Sequence, residues 1–166
     1  MTLMIRHTST LLLVAAALTA SILVFQSRPT KADPGNPFDV LLGTWRGSGQ
    51  IQLSQGKSER LNCNAYYTGG GSTLGMAIRC QSESSNVEIR SKLSQSGGRI
   101  TGTWEERTFN AQGNASGQAA NGRMTLAISG AVTGSMLVSY SASRQSVSIS
   151  TQNIALKSVS IDLTRS

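Results

Sequence analysis

Hydrophobic and polar residues alternate along most of this chain, and a repeat of two residues is typical of β-strands with one buried face. The clearest case is a hairpin whose centre lies at Gly71 and Ser72. If Cys63 lies opposite Cys80, one face of this hairpin collects the following residues: Leu61, Cys63, Ala65, Tyr67, Leu74, Met76, Ile78 and Cys80. A shift of one residue would turn the whole set to the other face. The cysteines and the hydrophobic pattern therefore predict the same register.

Three more hairpins follow, each with an apolar row on one face. The second turns around residues 96–98 and sets Leu93 opposite Ile100. The same register places Glu88 directly against Glu105, and two like charges in this position are mildly unfavourable.

The third and fourth hairpins share a strand. The third pairs two apolar rows across the turn 130–134: Met124, Leu126 and Ile128 with Tyr140, Val138 and Met136. The fourth sets Tyr140 opposite Val147 and Val138 opposite Ile149. Because the links between strands are short, strands that follow one another in sequence are expected to pair.

Together with a first strand from Trp45 and a last strand from Val159, the pattern predicts an all-β protein with about 8–10 short strands. An up-and-down antiparallel meander of this kind either closes into a barrel or folds into two packed sheets. Closure removes exposed strand edges, and we therefore predict a β-barrel. The segment 109–122 is rich in Gly, Asn, Gln and Ala, and its pattern leaves a poorly packed strand and a loop as alternatives.

The first residues have the features of an export signal. A weakly basic start precedes an apolar run, Leu11 to Phe25, that is shorter than the ~20 residues of a membrane-spanning helix. Thr30 and Ala32 are small residues at the positions a signal peptidase reads. We predict a signal peptide over 1–32, with an uncleaved anchor or a buried helix as the alternative.

After this signal helix, the sequence divides into two parts. Residues 33–42 form an N-terminal segment with a short helical turn after Pro37. Residues 43–166 form a single β-barrel domain, since the 134 residues left after cleavage are an ordinary size for one domain.

The cysteine content agrees with export to the periplasm or the outside of the cell. The chain has 2 cysteines, which are too few to hold a zinc ion and are well placed for a disulfide in an oxidising compartment. We predict a bond between Cys63 and Cys80.

The charge of the chain argues against nucleic acid as a partner. Removal of residues 1–32 leaves 12 basic and 8 acidic residues, a net charge of +4. The basic residues are scattered singly along the chain, whereas a nucleic-acid-binding protein concentrates them on one face. We expect no stable membrane insertion after cleavage, and the oligomeric state stays open.

Few residues could carry out catalysis. His7 is the only histidine and falls in the predicted signal peptide, so the mature chain has no base for a Ser-His-Asp or Cys-His pair. Glu106 is the one carboxylate that shares an inward face, with Trp104, but it lies at a strand end where a solvated rim position is expected. We predict no enzymatic activity, no catalytic residues and no metal site.

The segment Leu41 to Gly49 contains a short helical turn followed by Gly43, Trp45, Gly47 and Gly49 on the first strand. This Gly-x-Trp opening resembles that of the calycins, which include lipocalins, fatty-acid-binding proteins and avidins. The longer Gly-x-Trp-x-Gly-x-Gly form is similar to the opening of nitrobindin-like barrels. The resemblance implies a lipocalin-like barrel.

The resemblance also implies structural roles at one end of that barrel. Gly43 and Trp45 would belong to the strand that closes the end, and a basic residue near the last strand would stack on the tryptophan. Arg165 is the residue in the right place, and Lys157 is the poorer candidate. Nitrobindin-like barrels bind haem through a histidine that the mature chain lacks, so haem is not carried over and no cofactor is predicted. Ligation by Tyr or Met stays conceivable, although core packing explains those residues more simply.

Three functions are compatible with this sequence. The first is binding of a small, mostly apolar ligand inside the barrel, by these inward residues: Tyr67, Met76, Ile89, Trp104, Met124, Met136 and Tyr140. The alternative is a filled barrel that acts as an envelope protein-interaction or inhibitor module. The third is an enzyme that uses Glu106 and a tyrosine. We expect the first.

Overall fold

The structure is a computed structural model that describes residues 36–166. The signal peptide predicted over 1–32 lies outside the described residues. The described chain forms ten strands: β1 (Gly43–Leu53), β2 (Ser58–Gly70), β3 (Thr73–Gln81), β4 (Asn86–Ser96), β5 (Arg99–Glu106), β6 (Ala111–Ala120), β7 (Arg123–Gly130), β8 (Thr133–Tyr140), β9 (Arg144–Gln152) and β10 (Leu156–Arg165). A short 3-10 turn, Ser54–Gly56, joins β1 to β2.

The ten strands form one closed, antiparallel, up-and-down barrel. Each strand pairs with the next along the chain, and β1 pairs with β10 to close the ring. The all-β barrel predicted from the hydrophobic alternation is confirmed, and the alternative of two packed sheets is wrong. In the part of the chain that the structure describes, no helix is long and apolar enough to cross a membrane.

The register of the first hairpin, β2 with β3, is the predicted one. Cys63 lies opposite Cys80, and the two strands meet at the pair Gly70 and Thr73. A disulfide joins the two cysteines, which are separated by 17 positions in sequence. Both cysteines are buried, so the bond lies in the barrel wall with its sulfur atoms on the interior side.

The register predicted for β4 and β5 is wrong by two residues. Leu93 lies opposite Gly102, and Ile100 lies opposite Gln95. The reason is the turn: Gly97 and Gly98 both have positive φ, 57° and 79°, as in the two-residue type I′ turn that matches the twist of a hairpin. The predicted register centres the turn between Ser96 and Gly97, one position before the observed centre between Gly97 and Gly98.

The correction removes the unfavourable pair of glutamates. Glu88 lies opposite Arg79 on β3, and Glu105 lies opposite Arg90. Glu88 contacts the guanidinium groups of Arg79 and Arg90 at 3.4 and 2.6 Å. The hydrogen bond from Arg90 is the main reason why the pKa of Glu88 lies below its ordinary value.

The third and fourth hairpins also differ from the prediction by two residues. Met124 lies opposite Val138 on β8, and Val138 lies opposite Val147 on β9. A shift of two positions keeps the same side chains on the same face, so the inward rows are unchanged. The ambiguous segment 109–122 contains a regular strand, β6, whose inward residues are only Ala and Gly.

One half of the barrel is filled by side chains. This half lies toward what we call the sealed end, formed by the turns at 71–72, 97–98, 121–122 and 141–143 together with residues 37–41. Its core includes Leu74, Met124 and Val147, each with no more than 1% of its surface exposed. The opposite end, where β1, β3, β5, β7 and β9 finish, is the mouth.

The N-terminal turn plugs the sealed end. Phe38, Leu41 and Trp45 are all fully buried, and the Nε1 atom of Trp45 donates a hydrogen bond of 2.8 Å to the carbonyl oxygen of Leu41. The indole ring therefore holds the turn against the barrel through both packing and a polar contact.

Arg165, near the end of β10, fastens this plug from outside. Its guanidinium carbon lies 4.3 Å from the centroid of the Trp45 ring. Its three nitrogens donate hydrogen bonds to the carbonyl oxygens of Val40, Leu42 and Ala142 at 2.6, 2.5 and 2.7 Å. Gly43 has a φ of 111°, and a Cβ atom there would lie only 3.0 Å from the arginine, so glycine suits this position twice over.

Loss of the disulfide should weaken the fold. Reduction releases a loop closed over 17 positions, and we expect the free energy of unfolding to fall by about 3 kcal/mol. Urea denaturation with and without a reductant measures the change. The double variant Cys63→Ser, Cys80→Ser is the control, because its urea midpoint should be the same with and without the reductant. A wild-type urea midpoint that does not change with the reductant would contradict the prediction.

Replacement of Arg165 should loosen the sealed end. Arg165→Gln removes the stacking on Trp45 and the charged hydrogen bonds, and we expect it to lower the free energy of unfolding by about 2 kcal/mol. Arg123→Gln is the matched control, since Arg123 is an exposed arginine at the same end whose side chain makes no hydrogen bond or ion pair within residues 36–166. Equal losses in urea denaturation of the two variants would refute the role of Arg165.

Candidate ligand-binding cavity

The half of the barrel toward the mouth contains a cavity of about 510 Å³. Its wall is built from inward residues of all ten strands and from the turns around the mouth. The residues that lie deepest on their strands are mostly apolar: Leu61, Ile78, Trp104, Leu126, Met136 and Ile161. Below them, toward the sealed end, the interior is packed.

The small side chains of β6 help to explain why there is room. Its five inward positions carry Ala or Gly, and two of them, Ala111 and Ala115, line the cavity. Opposite strands therefore have no large side chains from β6 to pack against. The sequence signal was present in the segment 109–122, where the lack of large apolar residues made the strand hard to recognise.

Three of the seven predicted interior residues line the cavity: Ile89, Trp104 and Met136. Tyr67, Met76 and Met124 are buried in the packed half, with at most 3% of their surface exposed. Tyr140 lies at the sealed end, beside a separate surface groove. Alternation correctly assigned the inward face, but it carries no information on depth along the barrel axis.

Tyr67 makes a buried contact that the sequence did not indicate. Its hydroxyl donates to Oε1 of Gln145 at 3.0 Å and accepts from Nε2 of the same residue at 2.8 Å. Gln145 is itself buried. Burial raises the pKa of Tyr67 well above its ordinary value, while the bond with Gln145 acts in the opposite direction. This hydroxyl is therefore part of the core and does not reach the cavity.

Glu106 lines the cavity near the mouth, but its carboxylate is already engaged. The two oxygens accept hydrogen bonds from the backbone N–H groups of Glu88, Thr108 and Phe109, at 3.2, 3.0 and 2.6 Å. The side chain is only 9% exposed, so the expectation of a solvated rim position is wrong. The carboxylate orders the turn between β5 and β6, which places Phe109 at the mouth.

Glu59 is the other charged residue of the lining. The hydroxyl of Ser84 lies 2.7 Å from its Oε1 and 2.8 Å from its Oε2, and the backbone N–H of Ser84 donates at 3.3 Å. Hydrogen bonds from Ser82 and Ser84 hold the pKa of Glu59 below its ordinary value. No Lys or Arg lines the cavity within residues 36–166, and no cluster there could hold a metal ion.

Trp104 gives the cavity a large aromatic wall. Its Nε1 donates to the carbonyl oxygen of Ser129 on β7, at 3.1 Å. The ring reaches across Gly113, where a Cβ atom would lie 2.9 Å from Nε1. The missing side chain of Gly113 thus allows the indole to lie against the wall.

Sequence reasoning missed the apolar residues of the mouth itself. Phe109, Val132 and Ile154 lie in turns and line the opening, and Phe109 is 69% exposed. Large apolar residues in short turns were the available signal, because such turns usually carry small or polar residues.

Alkaline pH should destabilise the protein through Tyr67. Because burial raises its pKa in the folded state, its contribution to stability is complete below the ordinary tyrosine pKa of about 10 and is lost as the pH rises above that value. The decline in the free energy of unfolding should be shallower in Tyr67→Phe. Urea titrations at a series of alkaline pH values measure both slopes, and equal slopes would contradict the prediction.

Comparison with known proteins supports the fold. No protein-family model matches the chain, and no curated protein matches it significantly. The crystal structure of Rv2717c from M. tuberculosis is similar, with a TM-score of 0.67 and 14% sequence identity over 81% of this chain and 99% of that chain. Likeness at this identity establishes a shared fold alone. The lipocalin-like or nitrobindin-like type implied by Leu41 to Gly49 stays a prediction.

Proposed function

We propose that this protein is an exported barrel that binds a small, mostly apolar molecule in its cavity, without transforming it. The observation that carries the proposal is the cavity of about 510 Å³, which is blocked at one end and open at the other. Pockets for small ligands typically measure about 300–1,000 Å³ and are lined mainly by apolar and aromatic side chains.

The contrast between the two halves of the barrel supports this proposal. Protein interiors are normally packed as densely as organic crystals, and the sealed half follows that rule. Toward the mouth, the apolar side chains that line the cavity have no neighbouring atoms on their inner side and therefore lack these van der Waals contacts. A ligand with an apolar body would restore them.

The hydrogen bonds of the two carboxylates in the cavity lining support binding without catalysis. Both carboxylates of the lining accept hydrogen bonds, Glu106 from three backbone groups and Glu59 from Ser84. In the part of the chain that the structure describes, neither carboxylate has a basic side chain beside it in the lining with which to share a proton.

The disulfide is compatible with export, since such bonds persist in oxidising compartments such as the periplasm. We place the protein in the periplasm or outside the cell. Native mass spectrometry of protein purified from its own host is the direct test. A retained molecule, released on unfolding, is the expected result, and a bare polypeptide mass together with no uptake of apolar probes would refute the proposal.

A variant that fills the cavity should block binding. Ala115 lines the cavity, and Ala115→Phe would place a ring in the space a ligand needs. We expect at least about tenfold weaker binding of an apolar fluorescent probe, because shape-compatible volume is lost. Ala127→Phe, on the exposed face of β7, is the matched control and should bind as the wild type does. Equal binding by both variants would show that the probe does not enter the barrel.

The protein-interaction module remains a second candidate because of Phe109, whose side chain is 69% exposed. An exposed aromatic residue at a rim is a common anchor for a protein partner. Two variants distinguish the two candidate functions. Ala115→Phe should spare a protein partner that Phe109→Ser abolishes, whereas a ligand held inside the barrel depends on Ala115.

A further inference from the structure

The hydroxyl groups of the cavity wall differ in whether they have a hydrogen-bond partner within the protein. Five residues of the lining carry a hydroxyl: Ser82, Ser84, Ser85, Ser91 and Thr151. Four of them are engaged. The hydroxyls of Ser82 and Ser85 donate to the carbonyl oxygens of Ser85 and Asn86. Ser84 bonds to Glu59, and Thr151 bonds to the carbonyl oxygen of Leu156. Ser91 has no hydrogen-bond partner for its hydroxyl within residues 36–166.

Ser91 is also the polar residue placed deepest in the cavity. It is inward on β4, between Met76 on β3 and Trp104 on β5, and the next inward residue toward the sealed end, Leu93, already belongs to the packed core. Ser91 is only 8% exposed. Unlike the Tyr140 hydroxyl, which is fully enclosed and has no partner, the Ser91 hydroxyl keeps some surface open to the cavity. Polar groups at such a depth are nearly always paired, with protein or with a molecule in the cavity. The partner of the Ser91 hydroxyl would therefore come from what occupies the cavity.

The charges of the wall restrict what that occupant can be. Within the described residues 36–166, the lining contains Glu59 and Glu106 and no basic residue. A carboxylate or phosphate inside would have no cation to neutralise it and would be repelled by Glu106, and burial of an unpaired charge is costly. Glu59 and Glu106 both lie near the mouth, at the start of β2 and the end of β5, so an ammonium group at the bottom of the cavity beside Ser91 would also be buried without a partner.

We infer that the ligand is an uncharged molecule with an apolar body and a hydroxyl or carbonyl oxygen, which hydrogen-bonds to the Ser91 hydroxyl at the bottom of the cavity. This inference rests on the proposed function and narrows it to neutral alcohols, ketones and related compounds. Fatty acids and other anionic amphiphiles are poor ligands.

A series of probes with one chain length tests the inference. Decane, 1-decanol and decanoate are titrated at about pH 8, where the acid is ionised, against an apolar fluorescent dye in the barrel. Binding is followed through the dye and through the change in tryptophan emission, since Trp104 lines the cavity. We expect decanol to bind at least about tenfold more tightly than decanoate.

The role of Ser91 is tested by Ser91→Ala. Loss of one hydrogen bond should weaken decanol binding by about fivefold to tenfold and leave decane binding unchanged. Ser94→Ala, on the exposed face of the same strand, is the matched control and should change neither. Thermal unfolding of the free Ser91→Ala protein should not show a loss of stability, since no internal hydrogen bond is removed.

The outcomes distinguish the two proposals. If none of the three probes displaces the dye, both the proposed function and this inference fail. If decanoate binds as tightly as decanol, or Ser91→Ala binds decanol as the wild type does, the inference fails while apolar binding in the cavity stands. The comparison between decanol and decanoate needs only the wild-type protein, so it holds even if a variant folds poorly.

Discussion

The pairing of β1 with β10 is the contact on which the interior depends. Nine of the ten strand pairs join neighbours in sequence, but this one joins the two ends of the barrel, from Trp45 opposite Arg165 to Leu53 opposite Leu156. Without it the inward rows of a flat meander would face water on one side. With it they enclose a volume that is part core and part cavity, and Arg165 adds the contacts that hold the plug in place.

The sequence allowed the barrel to be predicted, but only one of four hairpin registers. Cys63 and Cys80 decided the first, because a disulfide requires two residues to be directly opposite. The other three depended on hydrophobic alternation, which has a period of two and cannot distinguish registers that differ by two. In the second hairpin the two-residue turn at Gly97 and Gly98 decides between such registers, and its geometry depends on the backbone.

The cavity was predictable in character and not in detail. Inward residues were identified correctly, yet Tyr67 and Met124 fill the core while Ile89 and Trp104 face the space. What separates them is depth along the axis, which follows from strand tilt and stagger in the closed barrel. Ser91 could not have been singled out, because only the three-dimensional arrangement shows which hydroxyl of the cavity wall lacks a partner.

The closing contact also sets an order of events for a newly made chain. The hydrogen bonds from Arg165 reach back 123 and 125 positions, to Leu42 and Val40. Hairpins can form one after another as they emerge from a ribosome, but β1 lacks its second neighbour until β10 has followed. Until then the incomplete sheet has two edge strands whose unpaired backbone groups can pair with another chain. A chaperone that covers the amino-terminal hairpin would therefore be of most use just before the final residues are made.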